Sequence, residues 1–294
     1  MKVFISGASG LIGSNCLKYF KVMGWNAVGS YFSYPTSDTV YFDTLNPDHA
    51  DNFNLSDFQP DVIVHCGALT HVDYCEDHIE ESEQKTVHST KNLIELARRF
   101  NSKLVYISTD YVFDGQHGPY HENDTTNPLS VYAKHKLEAE EMVLRELTNC
   151  LVLRVTNVYG NEEREKNFVS RIIRQCLNGE KLKLKLPLDQ YATPVNAWDV
   201  ARAMYLLLRD QHLGIFHMAS TDWMNRVELA LTVLKYFPNA EYELIAETTE
   251  QLQQAAKRPL MGGLQKTRFA QLYPEFLFSN VDDFVRIKLP KGSD

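Results

Sequence analysis

Two side chains four residues apart carry the first chemical signal in this chain. Tyr132 and Lys136, in the run Tyr132-Ala-Lys-His-Lys136, lie in a stretch of helical pattern and therefore share one helix face. An ammonium one turn from a phenol favours the phenolate. It lowers a pKa that starts near ~10 and brings the phenol within reach of proton transfer at neutral pH. With 15 tyrosines in the chain, about one chance match to Tyr-x-x-x-Lys is expected, and a surface helix pair is the plain alternative. The spacing gains weight from Ser108-Thr109-Asp110-Tyr111-Val112-Phe113-Asp114-Gly115, which sits at the carboxyl end of a strand, where open α/β sheets bind ligands. Thr109 supplies a hydroxyl there that can orient a substrate oxygen.

A second signal lies near the N-terminus, where Gly7-Ala-Ser9-Gly10-Leu11-Ile12-Gly13 follows a strand and opens a helix. Small residues are needed at such a turn because backbone N–H groups at the helix start must approach a pyrophosphate closely, and the last glycine lets helix pack on strand. The spacing is G-x-x-G-x-x-G, not G-x-G-x-x-G, and a glycine turn precedes many helices. Strand before and helix after make this one a dinucleotide site. The end of the second strand reads Gly29-Ser30-Tyr31-Phe32-Ser33-Tyr34, with neither the acid that holds an NAD ribose nor the Arg that holds an NADP phosphate. Ser30 and Ser33 offer hydroxyls in their place.

These residues need a scaffold, and the pattern supplies one. Lys2–Ser6, Ala27–Tyr31, Asp61–Cys66, Lys103–Ser108 and Leu151–Val155 read as strands. Leu11–Met23, Ile79–Phe100 and Pro128–Asn149 read as helices between them. Near-continuous apolar strands alternating with amphipathic helices predict a doubly wound, Rossmann-type α/β fold with a parallel sheet. Beyond about residue 160 the pattern loosens into a charged stretch at Asn161–Asn167, a helix at Phe168–Asn178, a Lys-alternating strand at Lys181–Leu186 and a helix at Ala197–Arg209. We expect a dinucleotide-binding domain over residues 1–158, with 189–212 returning to it, and a smaller α/β substrate domain over 159–294.

Charge narrows the partners. The chain has 294 residues, 44% hydrophobic and 23% charged, with a formal net charge of −8, the composition of a folded globular protein. No Lys or Arg occurs between Lys21 and Lys85. That stretch holds twelve acids, among them Asp38, Asp43, Asp48, Asp51 and Asp73, and the remainder of the chain is net basic. Without a clustered basic face, nucleic acid and anionic membrane are not expected as partners. A cation-free stretch with Asp38 and Asp43 would repel a 2′-phosphate, so NAD(H) is favoured over NADP(H). Five cysteines, none in a Cys-x-x-Cys pair, signal neither a disulfide framework nor a zinc site, and His71, Cys75 and His78 lack ligand spacing, so no metal is expected. With no signal peptide or membrane span in evidence, a cytoplasmic location is expected.

The combination of motifs resembles the extended short-chain dehydrogenases/reductases, and within them the dTDP-4-dehydrorhamnose reductase family. The residues that carry the resemblance are the glycine turn, Thr70 through Glu76, the Ser108–Gly115 run, Tyr132 with Lys136, and Arg154-Val-Thr-Asn157-Val-Tyr-Gly160. Asp189-Gln-Tyr-Ala-Thr-Pro194, Gly214-Ile-Phe-His217, and Arg258-Pro259 followed by Leu264 complete them, so nearly the whole chain is covered.

That resemblance implies reduction of a 4-keto sugar on a nucleoside diphosphate, such as dTDP-4-dehydrorhamnose to dTDP-rhamnose. A nicotinamide cofactor would deliver hydride, Tyr132 would protonate the developing alkoxide, Lys136 would hold the nicotinamide ribose, and Thr109 would bond the sugar oxygen. It implies cofactor contacts at Gly7, Ser9, Gly10, Leu11, Ile12, Gly13, Tyr31, Ser33, Asp43, Cys66, Gly67, Ala68 and Thr70, and substrate contacts at Val72, Asp73, Asp110, Tyr111, Asn157 and Arg258. The chain departs from the family at Asn157, where the family has Trp, at Ala192-Thr-Pro-Val195, and at His135 beside the catalytic Lys. These changes bear on the sugar pocket. The sequence is similar as well to the regulatory β subunit of methionine adenosyltransferase, a dinucleotide-binding partner protein that keeps a Tyr and Lys pair. A regulatory role, or a nucleotide-sugar epimerase or dehydratase activity, is therefore an alternative. A homodimer is left open.

Overall fold

The structure is a computed structural model that describes residues 1–47 and 53–289; Asp48 and Asp51 of the acidic stretch lie outside them. Its centre is a seven-stranded, all-parallel sheet. In chain order the strands are β1 (Lys2–Ser6), β2 (Asn26–Tyr31), β3 (Thr39–Tyr41), β4 (Val62–His65), β5 (Lys103–Thr109), β6 (Cys150–Val155) and, after β7 (Leu182–Pro187) and β8 (Tyr191–Ala192), β9 (Gly214–Met218). Their spatial order is β3-β2-β1-β4-β5-β6-β9. The order reverses between β1 and β4, so their carboxyl ends flank the crevice in which doubly wound proteins bind nucleotides.

The apolar runs are continuous because both faces are covered. Val3 and Ile5 face one core and Phe4 the other; Val105 and Ile107 oppose Leu104 and Tyr106 in the same alternation. The helices Leu11–Val22 and Ala197–Arg209 cover the first face. The helices Ser89–Phe100 and Val131–Glu146 cover the second. The central strands β4, β5 and β6 thus bury both of their faces, at a gain of about 1.5–3 kcal/mol for each large apolar side chain.

The elements expected between 79 and 149 are present with altered bounds. The stretch 79–100 is divided into a helix at Ile79–Glu83, a π-helical turn at Gln84–His88 and a helix at Ser89–Phe100. The later helix begins at Val131, with the Ser130 hydroxyl accepting from the Ala133 amide at 3.3 Å, and ends at Glu146. Pro128 stays outside because the Ser130 cap fixes the first turn.

A second core lies in the other half. β7 pairs in parallel with β11 (Tyr242–Glu247), following β10 (Met224–Asn225), which pairs with β8. Leu182, Leu184 and Leu186 point inward, with Lys183 and Lys185 exposed between them. The helices Phe168–Leu177, Arg226–Leu234 and Val281–Lys288 close over this core. The return to the main sheet runs past residue 212 to β9, where Phe216 and Met218 join the first face.

Candidate active site

The glycine turn brings three strand ends together. Gly7, at φ +73°, would place a Cβ 2.9 Å from the Gly67 amide, so the turns after β1 and β4 touch backbone to backbone. A Cβ on Gly13 would lie 2.5 Å from the Gly7 carbonyl, which seats the helix on the strand. The Ala8 amide donates to the Ser30 carbonyl at 2.7 Å, adding the end of β2. Gly10 caps Leu11–Val22 with no side-chain cap and no acid in the first turn. The first-turn amides are therefore free of side-chain caps, and the helix dipole favours an anion there. This cradle fits a dinucleotide pyrophosphate at Ser9, Gly10, Leu11 and Ile12.

Around it stand the other expected cofactor residues. Tyr31 packs edge-on against Tyr41 at 5.8 Å, and Ser33 is exposed just beyond. Asp43 accepts from the Leu45 amide at 2.9 Å, past the end of β3. Cys66, Gly67 and Ala68 follow β4 in a half-buried loop, and Thr70 is exposed at its far side.

The catalytic candidates meet at the ends of β5 and the helix Val131–Glu146. Thr109 ends β5 in extended conformation and caps the turn Asp110–Val112, its hydroxyl oxygen accepting from the Tyr111 amide at 3.2 Å. Tyr132 lies one turn from Lys136 on the facing helix, near enough to the Thr109 side chain for that hydroxyl to act on its pKa. The spacing argument expects Lys136 to lower the Tyr132 pKa. Instead, the phenol is pushed up, by burial first and then by the nearby Asp110, Tyr111 and Cys75, with the Thr109 hydroxyl opposing. The Lys136 ammonium is turned to the Ile107 carbonyl and lies over the Tyr106 ring, 4.1 Å from its centroid. Burial lowers its pKa to about 7, with Glu140 acting the other way.

The substrate candidates line the crevice beyond Tyr132. The Tyr111 and Tyr132 rings meet edge to face at 6.0 Å, and the Arg258 guanidinium lies 5.9 Å from the Tyr111 centroid. Arg258 donates to Asp73 at 2.6 Å, and the same carboxylate accepts from the Ala256 amide at 3.0 Å. Val72 begins the helix that carries Asp73. Asp110 is buried; its carboxylate accepts from the Thr156 hydroxyl at 2.7 Å and the Gly263 amide at 3.4 Å, so it braces the floor. Asn157, at φ +39°, accepts from Arg226 at 2.7 Å.

One pocket joins Asp110, Tyr111 and Asn157 to Gln190, Tyr191 and Arg226. Gln190 and Tyr191 belong to the Asp189–Pro194 run that carries the family resemblance, although it marked neither as a pocket residue, and Arg226 has no local signature in the sequence. His135 turns away from the pocket to the Ser82 hydroxyl at 2.9 Å. His71 caps its helix by accepting from the Tyr74 amide, and His78 stacks on Tyr74 at 3.6 Å.

Fold and comparisons together define an NAD(P)-dependent oxidoreductase of Rossmann type, in which Thr109, Tyr132 and Lys136 are the candidate catalytic residues. More narrowly, the chain belongs to the RmlD substrate binding domain family, whose model matches residues 1–277. It is 34% identical over 277 residues to methionine adenosyltransferase 2 subunit beta of Danio rerio, covering 92% of this chain and 84% of that protein. It is 28% identical over 288 residues to dTDP-4-dehydrorhamnose reductase of Aggregatibacter actinomycetemcomitans, covering 92% and 93%. The crystal structure of a dTDP-4-dehydrorhamnose reductase from Clostridium acetobutylicum superposes with a TM-score of 0.83 at 27% identity, over 98% of this chain and 99% of that one.

Proposed function

We propose that this chain is an NAD(P)H-dependent reductase of a 4-keto sugar carried on a nucleoside diphosphate, with dTDP-4-dehydrorhamnose as the first substrate to test. The observation that carries the reading is the convergence of Thr109, Tyr132 and Lys136 beside an uncapped glycine cradle. A bound nicotinamide would supply the hydride. Thr109 orients the carbonyl oxygen, and Tyr132 delivers the proton that the developing alkoxide takes up. The raised Tyr132 pKa suits this direction, because the phenol must arrive protonated. Lys136 holds the ribose side of the cofactor.

In this reading the sheet-bearing body holds the cofactor, and the half from residue 159 onward holds the sugar nucleotide. Val72, Asp73, Asp110, Tyr111, Asn157 and Arg258 shape the substrate crevice, joined by Arg226. Counted along the local sequence, charge favours NAD(H), and that count stands only if no cation reaches the end of β2 from elsewhere. Among the described residues no helix is long and apolar enough to cross a membrane, and all five cysteines are free, which supports a cytoplasmic placement.

The test is turnover. Tyr132→Phe should retain cofactor affinity and lose about 10²–10⁴-fold in rate, since only the proton donor is removed. Unchanged turnover would remove the mechanism. A second reading, a dinucleotide-binding regulatory subunit, is favoured by one observation: the methionine adenosyltransferase β relative is the more similar in sequence, at 34% against 28%. A stable complex with a methionine adenosyltransferase chain, together with no oxidation of NADH or NADPH by any nucleotide sugar, would establish it.

A further inference from the structure

The segment after β6 leaves the sheet and comes back against the helix Leu11–Val22 and the chain just past β2. Asn15, on the helix behind the glycine turn, donates to the Asn161 carbonyl at 2.8 Å, which ties this segment to the cradle. Three residues on, the Arg164 guanidinium lies over the Tyr34 ring, its central carbon 5.2 Å from the centroid. Tyr34 stands just past Tyr31, the last residue of β2. That is the place where doubly wound proteins read the adenine ribose, with an acid for a 2′-hydroxyl or an Arg for a 2′-phosphate.

Arg164 has no counter-ion among the described residues. Two of the three neighbouring acids are engaged elsewhere: Glu162 accepts from the Lys166 and Asn167 amides, and Glu165 pairs with Arg174 at 3.3 Å, while Glu163 is exposed and makes no ion pair with Arg164. Asp38, which would repel a phosphate at this edge, is offset by Lys21 at 3.7 Å. The Arg164 Nε is shielded from water and meets no acceptor. A buried donor left unpaired is costly, and a guanidinium presents its donors in a planar fork suited to a phosphate. Ser33 lies exposed beside Tyr34 and adds a hydroxyl.

We propose that Arg164 reads the 2′-phosphate of NADP(H), supplying from the substrate half of the chain the cation that the second strand lacks. This rests on the dinucleotide part of the function proposed above and reverses the preference that local charge implies. The cation-free stretch from Lys21 to Lys85 describes the sequence, whereas a ligand meets whatever the fold brings to it.

Direct titration of the full-length protein with NADPH, NADH and 2′,5′-ADP tests it, using wild type, Arg164→Gln and Arg164→Lys. Wild type should bind NADPH more tightly than NADH. Arg164→Gln should weaken NADPH and 2′,5′-ADP by about 10–100-fold, the loss of a charge-assisted contact, and leave NADH within about twofold. Arg164→Lys should keep part of the preference, and it decides the matter if the Gln variant does not fold. Equal weakening of NADH and NADPH would make Arg164 a pyrophosphate clamp and overturn the proposal, as would undiminished NADPH binding. Wild type that binds NADH but not NADPH overturns this inference alone. Wild type that binds neither overturns it together with the dinucleotide reading.

Discussion

The Lys136 ammonium donates to the carbonyl of Ile107, two residues before Thr109, so the end of β5 and the helix Val131–Glu146 are joined by a buried cation. Burial holds its pKa at about 7, well below the usual 10.5. Between those values the unfolded chain binds the proton that the folded chain releases, so stability rises with pH through that window. Below pH 7 both states carry the charge and the burial penalty is fully present. Relative to Lys136→Met, wild type should therefore gain on the order of 3 kcal/mol between pH 6.5 and 9.5. Urea unfolding of both proteins across that range measures it; a constant difference would show that Lys136 does not titrate there.

Arg154 and Glu140 form a second buried pair behind the site. Arg154 Nε reaches both carboxylate oxygens at 3.1 Å, and its Nη1 lies 3.3 Å from His217 Nε2. Burial, with Arg154 next in effect, lowers the His217 pKa to about 3 and keeps the ring neutral. Glu140→Gln leaves the guanidinium without its counter-charge, and a loss of about 3–5 kcal/mol in unfolding free energy is expected. Thermal unfolding monitored by circular dichroism would register this as a fall in Tm, and a Tm equal to wild type would argue against the pair as a structural tie.

Arg226 is the cation that faces the substrate pocket with a neutral partner, Asn157. If a sugar diphosphate binds there, Arg226→Ala should raise KM for the nucleotide sugar about 10–100-fold and leave NAD(P)H affinity unchanged. Steady-state kinetics beside a cofactor titration separate the two effects. Equal losses in both would place Arg226 in the scaffold.

Much of this was legible in the residues because it is local. The glycine turn, the continuous apolar strands, Thr109 at a strand end and Tyr132 one turn from Lys136 each depend on neighbours within a few positions. What was hidden depends on distant segments meeting. Arg226 follows no motif, and Gln190 and Tyr191 sit in a run quoted only for its resemblance; all three become pocket walls only when β8 and β10 pair beside the end of β5. The spacing of Tyr132 and Lys136 showed a shared helix face, but the ammonium's turn toward Ile107 depends on where β5 lies. Arg164 falls outside every motif, in the charged stretch Asn161–Asn167, and its place over Tyr34 follows from the path of the chain after β6.

The wall opposite Tyr111 is built from the chain's last quarter: Ala256 and Arg258 close on Asp73, and Gly263 closes on Asp110. During synthesis the glycine cradle and the Thr–Tyr–Lys centre leave the ribosome long before these residues do. A nascent chain thus carries those earlier residues before it carries one side of the crevice. The crevice is completed among the last parts of the molecule to be made, and a chain ending before residue 256 would keep Thr109, Tyr132 and Lys136 without the wall that closes on Asp73 and Asp110.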